Sequence, residues 1–288
     1  MPAAAARNSV RDMKKIFLFL VLAAAQISVL AGGIVVSSYP WQKTTVANML
    51  VDFRKSGFDK VSMFQNMKLG GNSKYANELF CYWMSDGAKA EAKKMFAEAG
   101  VRVVSIGHIY AGDEARIKQL FDFAKDFGIE VMTVEAQPEA LPIYDRYAKE
   151  YGIGAGLYNH PYMPESPKAL KKFPYMLPEK MLAAIDGRAA LKAFPDCGHW
   201  GRSNWDIVKC LKQMQGKFVA INIQNLAPDN NCEEYSKGRL PLKEFVAELK
   251  RQKFDGYCIV MFNVADDRSQ IDKVAPSVKF LEDCGLKK

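Results

Sequence analysis

The chain has 288 residues, of which 49% are hydrophobic, and its formal net charge is +8. This composition is sufficient for a large apolar core and excludes a disordered or low-complexity protein. The basic residues are scattered rather than interleaved with aromatic residues in a stripe, which argues against a nucleic-acid partner. The length suits one (β/α)₈ barrel, which typically takes about 250 residues, better than two substantial domains.

Residues 1–31 have the features of a secretory signal peptide with an upstream extension. Met13-Lys14-Lys15 forms a charged segment, the apolar run 16–29 follows, and Val29-Leu30-Ala31 supplies small side chains at the spacing of a cleavage site. We therefore expect an exported protein, periplasmic or secreted, in which this segment is removed and residues 32–288 form the barrel domain. No stable membrane insertion is expected after cleavage, and the oligomeric state is left open.

The cysteines do not indicate a metal site. The chain has six of them, without a C-x-x-C spacing, so their pattern predicts no zinc site. Export permits disulfides, whereas Cys210 and Cys258 lie in apolar runs and are expected to be buried thiols.

The remaining sequence alternates β-rich runs with amphipathic segments at a period of about 30 residues. Strands are predicted over residues 34–38, 60–64, 102–107, 130–134, 154–159, 191–195, 218–224 and 256–261. Helices are predicted over residues 46–56, 87–99, 113–127, 140–151 and 177–185, and a helical segment follows each of the last three strands. Two long loops, residues 72–84 and 161–178, are expected to cover the rim of the fold.

This order of elements predicts an α/β fold with a parallel sheet. Glycines such as Gly100 and Gly128 stand between a helix and the next strand, as expected of residues that end a helix. Eight strand-then-helix units are the number that closes a (β/α)₈ TIM barrel, here as a single domain. A doubly wound open sheet is the alternative. Because no G-x-G-x-x-G motif follows the first strand, the barrel is favoured and no nucleotide cofactor is predicted.

The most informative segment is Phe194–Trp205, which follows the predicted sixth strand. It places Asp196 and His199 three residues apart, beside two tryptophans. Ligands bind at the carboxyl ends of the strands in barrels and open α/β sheets, where such a pair can share a metal, a proton or a sugar hydroxyl. The alternative is local, with Asp196 capping the next turn and His199 filling a polar niche.

Polar and aromatic residues also follow the other predicted strands. They are Tyr39, Trp41, Gln65, Lys68, His108, Glu135, His160, Asp196, His199, Gln224, Asn225 and Asn263. All three histidines of the chain belong to this set, which predicts a polar, sugar-binding site on one face of the barrel. Tryptophans near the rim can stack on a sugar ring or belong to the core.

Five motifs in this order carry a resemblance to a known family. They are Ser38-Tyr39, Lys68-Leu69-Gly70-Gly71, the stretch from Val134 to Leu141, Asn159-His160-Pro161, and Asp196-Cys197-Gly198-His199-Trp200 with Arg202-Ser203. Over residues 33–284 the chain resembles the sugar phosphate isomerase/epimerase family of the xylose-isomerase-like TIM barrels. The resemblance implies a divalent metal (Mn, Zn or Mg) held by carboxylates and imidazoles, and a carboxylate that moves a proton beside the carbonyl of a sugar.

The sequence departs from the family pattern at four positions where the family usually supplies polar or metal-binding groups. They are occupied by Ser62, Tyr158, Asn222 and Val260. Of the metal ligands that the resemblance implies, Asp196 remains, with His199 beside it. One carboxylate and one imidazole are a poor site for a hard divalent ion. A divalent metal is therefore expected to be weakly bound or absent, and a weak site would have to be completed by Glu135 and His160.

Two functions remain open. The first is a divergent enzyme that acts on a sugar or keto-sugar, with Glu135 as acid/base and His160, Asp196 and His199 orienting hydroxyls. The predicted substrate-binding residues are Tyr39, Trp41, Lys68, His108, Trp200, Arg202 and Gln224. The second is a catalytically inactive pseudo-enzyme that binds a small carbohydrate in the barrel pocket.

Overall fold

The computed structural model describes residues 32–263 and 268–287. Eight parallel strands form one sheet: β1 (Gly33–Ser37), β2 (Lys60–Phe64), β3 (Arg102–Ile109), β4 (Val131–Val134), β5 (Gly154–Leu157), β6 (Leu191–Ala193), β7 (Ala220–Ile223) and β8 (Tyr257–Val260). Strands β1 to β6 pair in chain order, β8 pairs with β1, and β7 pairs with β8. The predicted signal peptide lies outside the described residues.

The sheet closes between β6 and β7. Parallel bridges join Ala193 to Phe218 and Asp196 to Asn222, and the Val219 N–H donates to the Ala193 carbonyl at 3.0 Å. Closure between the last free edges makes the sheet a barrel, so the predicted (β/α)₈ TIM fold is confirmed and the open doubly wound sheet is excluded.

Each strand is followed by one or two helices. In chain order α1 to α10 are Val46–Ser56, Asp86–Ala99, Glu114–Phe127, Leu141–Tyr151, Pro167–Lys172, Pro178–Ile185, Cys197–Arg202, Ile207–Gln213, Leu242–Arg251 and Arg268–Asp283. Single 3₁₀ turns cover Tyr39–Trp41 and Pro138–Ala140, and two small hairpins pair Met67–Lys68 with Leu79–Phe80 and Asn225–Leu226 with Cys232–Glu233. Within the described part of the chain, no helix is both long and apolar enough to cross a membrane.

Helix α3 shows how the local sequence sets these elements. Asp113 begins the helix as its N-cap, because its carboxylate accepts a hydrogen bond from Arg116 N at 2.9 Å. Gly128 ends it in the left-handed region at φ 75°. Ile117 and Phe121 belong to its fully buried face, and each such side chain contributes roughly 1.5–3 kcal/mol through burial.

The apolar core has two parts. A small cluster drawn from the barrel strands and their flanks fills the barrel interior and consists of Val35, Val104, Val131, Phe194, Ala220, Tyr257 and Ile259. The larger cluster joins the outer faces of the strands to the helices. Within the inner cluster, Tyr257 donates a hydrogen bond to Glu130 Oε2 at 2.7 Å from the amino end of β4. The apolar packing of this cluster closes the interior of the barrel below the carboxyl ends of the strands.

Strand β3 is longer than predicted and contains a bulge. Ile106 lies opposite Met132 and Ile109 opposite Val134, so β3 has one more residue than β4 over this interval. A bulge redirects the side chains that it contains. An ideal Cβ on Gly107 would lie 2.8 Å from Thr133 Cβ, which explains glycine at this point. The bulge carries His108 at the carboxyl end of β3.

Candidate functional site

A carboxylate held between two imidazoles forms the centre of the site. Glu135 Oε1 lies 3.1 Å from His108 Nδ1, and Glu135 Oε2 lies 3.0 Å from His160 Nε2. The three residues come from the carboxyl ends of β3, β4 and β5, which are neighbours in the sheet. We call them the His-Glu-His cluster. The structure thus brings together three residues that the sequence placed on separate strands.

The Glu135 carboxylate is almost fully buried, with 5% of its side chain exposed. Burial alone would raise its pKa, but the hydrogen bonds with His108 and His160, and their charge, lower the pKa to about 2. Glu135 is therefore ionised at neutral pH and accepts hydrogen bonds from both rings. This leaves His108 Nε2 and His160 Nδ1 as the ring nitrogens that do not bond Glu135.

Aromatic rings fix the two imidazoles from outside the cluster. Phe64 stacks on His108 with ring centroids 4.8 Å apart. Phe173, from the predicted rim loop 161–178, lies 3.7 Å from the ring of His160. These contacts restrict both rings, which favours a single geometry around the carboxylate.

Tyr158 connects the His-Glu-His cluster to Asp196. Its ring meets His108 edge-on at 3.8 Å between centroids, and its hydroxyl donates to Asp196 Oδ2 at 3.0 Å. Burial and the Asp196 charge raise the pKa of Tyr158 well above its usual value, so the phenol stays protonated. The residue that departs from the family pattern at this position thus serves as a hydrogen-bond donor.

Asp196 is both a helix cap and a hydrogen-bond acceptor for the site. Its Oδ1 accepts from Gly198 N at 2.8 Å and His199 N at 3.3 Å, which begins α7. Its Oδ2 accepts from Gln224 Nε2 at 2.5 Å as well as from Tyr158. The capping alternative for Asp196 is therefore borne out by the structure, and the short helix α7 follows β6 directly.

His199 is buried beside Arg202. Arg202 Nη1 lies 3.4 Å from His199 Nδ1 and 3.0 Å from Gln224 Oε1. Burial, together with the Arg202 charge, lowers the pKa of His199 to about 3 although Asp196 acts in the opposite direction. Because arginine only donates, Nδ1 of the neutral ring accepts and Nε2 carries the proton. The ring is stacked parallel to His160 with centroids 5.7 Å apart.

The donor set does not fit the divalent metal that the family resemblance implies. Both Asp196 oxygens already accept two hydrogen bonds each, and both Glu135 oxygens face imidazoles. His199 Nδ1 faces the guanidinium of Arg202, a cation. Among the described residues, no three or more His, Cys, Asp and Glu side chains are arranged to hold a metal ion. The metal role expected for Asp196 and His199 is not supported by this geometry.

Other predicted site residues lie in different places. Tyr39 lies near His108, since its ring contacts Phe64 at 4.6 Å. Lys68 is exposed on the hairpin Met67–Lys68 with Leu79–Phe80, and no contact joins it to the cluster among the described residues. Trp41 is buried and donates from its indole to Asp52 at 2.9 Å.

Trp200 is also part of the core. It is fully buried, and its indole N–H has no hydrogen-bond partner among the described residues. Full burial leaves neither Trp41 nor Trp200 a free face for a sugar ring, so the expected stacking role does not fit these two residues. Both belong to the large apolar cluster between the strands and the helices.

Three residues near the cluster were not among the predicted site residues. Tyr110 is half exposed at the end of β3, and partial burial and the neighbouring Glu135 raise its pKa. Phe64 and Phe173 are the rings against His108 and His160. The only signal in the sequence was their position at or just after the end of a strand or in a rim loop, and an aromatic residue there is more often core than site.

All six cysteines lie in the described residues and none forms a disulfide. Cys210 and Cys258 are buried, as their apolar neighbours predicted, and burial raises the pKa of both thiols. Cys232 contacts the site, because Arg202 Nη2 lies 3.3 Å from its sulfur. The Cys232 sulfur accepts from this partly buried guanidinium and donates to Gln224 Oε1 at 3.1 Å.

Comparison with known proteins identifies the fold. No family model and no curated protein matches the chain. An uncharacterised protein from Parabacteroides distasonis is similar, with 25% identity, a TM-score of 0.70, and coverage of 88% of this chain and 100% of that one. A D-allulose 3-epimerase from Methylomonas sp. follows at 14% identity and a TM-score of 0.67, covering 88% of this chain and 98% of its own.

A sugar phosphate isomerase/epimerase from Parabacteroides distasonis is similar at 17% identity and a TM-score of 0.60, covering 88% of this chain and 94% of that one. At these identities the likeness shows the fold. The chain therefore has the TIM-barrel fold of these structures, the fold that the sequence motifs indicated.

Proposed function

We propose that this protein is a sugar isomerase or epimerase that moves a proton beside the carbonyl of a sugar or keto-sugar without a tightly bound metal. The observation that carries the proposal is Glu135 held between His108 and His160 at the carboxyl ends of three neighbouring strands. Similar barrels include proteins described as D-allulose 3-epimerase and sugar phosphate isomerase/epimerase. No nucleotide cofactor is required for this chemistry.

In the proposed reaction the acid–base work is divided among the three members of the cluster. His108 or His160 takes the proton from the carbon beside the carbonyl at the ring nitrogen that does not bond Glu135, and the electron pair of the C–H bond forms an enediolate. The ionised Glu135 stabilises the imidazolium, as a carboxylate does for a histidine base in other enzymes. The proton then returns to the same carbon from the other face in an epimerase, or to the neighbouring carbon in an isomerase.

His199 is suited to binding the sugar oxygen on which negative charge develops. Its pKa of about 3 keeps the ring neutral, and its Nε2 carries the proton. A neutral imidazole that donates to a developing oxyanion is an established catalytic device. Asp196 then acts as a positioning residue, because its oxygens hold the α7 backbone, Tyr158 and Gln224 rather than facing a ligand.

The proposal is tested by hydrogen exchange. The purified protein is incubated in D₂O with D-fructose and with D-glucose, and deuterium at the carbon beside the carbonyl is measured by NMR. Proton transfer exchanges this position even when the net conversion is small. We expect Glu135→Gln to slow the exchange by up to about 10⁴-fold, the loss that follows when the carboxylate partner of a histidine base is replaced by an amide, with the sugar affinity nearly unchanged.

Glu139→Gln is the matched control. Glu139 stands four residues further on, is exposed, and receives the same change of charge and shape. Exchange at the wild-type rate in Glu135→Gln would refute the assigned role of Glu135. Loss of exchange in both variants would show that the effect is not specific to the cluster.

A second candidate is a pseudo-enzyme that binds a carbohydrate without turnover. It is favoured by one observation: all acceptor positions of Asp196, the surviving family carboxylate, are committed to protein donors. This function predicts that a sugar raises Tm by mass action while no deuterium enters it over hours. We also propose that the protein is exported, and intact-mass measurement of the mature protein would then place its first residue near Gly32.

A further inference from the structure

A cleft of about 370 Å³ opens beside His108. It is bordered by the segments that follow β1 and β2, by the rim loop 72–84, and by the end of β3, where Tyr110 lies. His108 belongs both to the lining and to the His-Glu-His cluster. A ligand in the cleft would therefore be directly beside the proposed reaction centre. The volume is within the range of small-molecule sites, roughly 300–1,000 Å³.

Aromatic rings make up the walls of this cleft. Tyr39, Phe64 and Trp83 line it together with Tyr110. Trp83 and Tyr110 are the largest of these rings that stay accessible, with 50% and 51% exposure. Trp83 is held edge-on against Tyr82 at 4.7 Å between centroids. Rings exposed in a concave site offer flat apolar faces, which match the C–H faces of a sugar ring.

The side-chain amides of Gln42 and Gln65 give the cleft two hydrogen-bond acceptors without partners among the described residues. Gln42 Nε2 donates to the Gln65 carbonyl at 2.6 Å, and Gln65 Nε2 donates to the His108 carbonyl at 3.2 Å. Each bond uses one of the two N–H donors of its amide and fixes the orientation of that side chain. The buried Oε1 atoms of Gln42 and Gln65 have no hydrogen-bond partner among the described residues. Buried acceptors without partners favour a ligand that donates from hydroxyl groups.

The lining residues of the cleft do not favour an anionic ligand. No lysine or arginine is among the described residues that line the cleft, so a phosphate or carboxylate would find no cation there. A phosphate also has few protons to donate to the two amide oxygens. A neutral hexose ring supplies several O–H donors together with an apolar face.

From these observations we propose that the cleft is a second sugar subsite, which binds a hexose ring linked glycosidically to the sugar that reacts at the His-Glu-His cluster. The preferred substrate is then a disaccharide or other glycoside with a keto-sugar at one end, rather than a free monosaccharide. This inference rests on the proposed function, because it deepens the substrate class of the same site.

The test compares isomaltulose, maltulose and lactulose, each a hexose linked to fructose, with D-fructose itself. Calorimetry gives Kd for wild type, Trp83→Ala and Gln65→Leu. We expect at least one of the disaccharides to bind about tenfold more tightly than fructose, and each variant to reduce this preference about fivefold, the size of one stacked ring or one hydrogen bond. Val51→Ala, on the outer helix α1, is the control and should keep the wild-type preference.

Both variants are expected to fold, because Trp83 is exposed and Gln65→Leu nearly preserves the side-chain volume. A Tm measurement checks this. The subsite would be overturned if fructose and all three disaccharides had equal Kd values and the variants left these values unchanged. The proposed function would still stand in that case, because fructose binds. No binding and no deuterium exchange with any of these sugars would instead refute the proposed function, and the subsite with it.

Discussion

Replacing the buried imidazole of His199 should change how the stability of the protein depends on pH. Burial lowers the pKa of His199 to about 3 from an ordinary value of 6.5. The groups that face the ring are Asp196, which raises its pKa, and Arg202, His160 and His108, which lower it. The native protein keeps the ring neutral, whereas the unfolded chain binds a proton below pH 6.5. The contribution of the neutral His199 ring to the free energy of unfolding is therefore fully present above pH 6.5, and it is lost as the pH falls from 6.5 towards 3.

The expected magnitude follows from this linkage. Each pH unit well below 6.5 costs about 1.4 kcal/mol of folding free energy from this one group. Between pH 7.5 and pH 5 the loss amounts to about 2 kcal/mol, because the unfolded imidazole is already mostly protonated at pH 5. His199→Gln removes the titrating group but retains an acceptor for Arg202. The variant should lose about 2 kcal/mol less than wild type over this interval.

Urea denaturation at the two pH values measures the free energy of unfolding of both proteins. Carboxylates that titrate in the same range contribute equally to both proteins, so the difference between them isolates His199. An NMR titration of the His199 ring protons provides the independent check and should show no titration between pH 8 and pH 5. Equal losses of stability, or a midpoint near 6.5, would refute the reasoning.

Three further changes test the network around Asp196. Tyr158→Phe removes the hydrogen bond to Asp196 and should lower the free energy of unfolding by about 0.5–1.5 kcal/mol; an unchanged urea midpoint would contradict that bond. Gly198→Ala places a Cβ 2.6 Å from Gln224 Cβ and should cost about 1–3 kcal/mol, so a fully stable variant would show that α7 can shift. Dialysis against EDTA should leave Tm unchanged, because the acceptor positions of Asp196 are occupied; a fall of several degrees would reveal a structural metal.

The strand and helix pattern was available from the sequence because it depends on local periodicity. Apolar runs of about five residues between amphipathic segments predicted all eight barrel strands, and their bounds agree to within a few residues. Differences occur where long-range contacts override the local signal. β3 extends past Gly107 because it pairs with β4 around a bulge. The segment after β6 agrees with the predicted helical segment, because the local Asp196 cap begins it.

The location of the polar residues was also available from the sequence, but their partners were not. The strand ends placed His108, Glu135 and His160 on one face. Their order along the chain could not show that Glu135 lies between the two imidazoles. That arrangement depends on which strands are neighbours and on how the bulge in β3 directs His108.

The sequence by itself determined the parallel (β/α)₈ architecture and the face that carries the site, because both follow from the period of hydrophobic residues along the chain. Only the tertiary structure decided which polar residues act together. Closure of the barrel brought Tyr158 and Gln224 to Asp196, and burial made His199 neutral and removed Trp41 and Trp200 from the pocket. Hydrogen-bond partners and burial depend on contacts between distant segments, and local sequence periodicity carries no information about them.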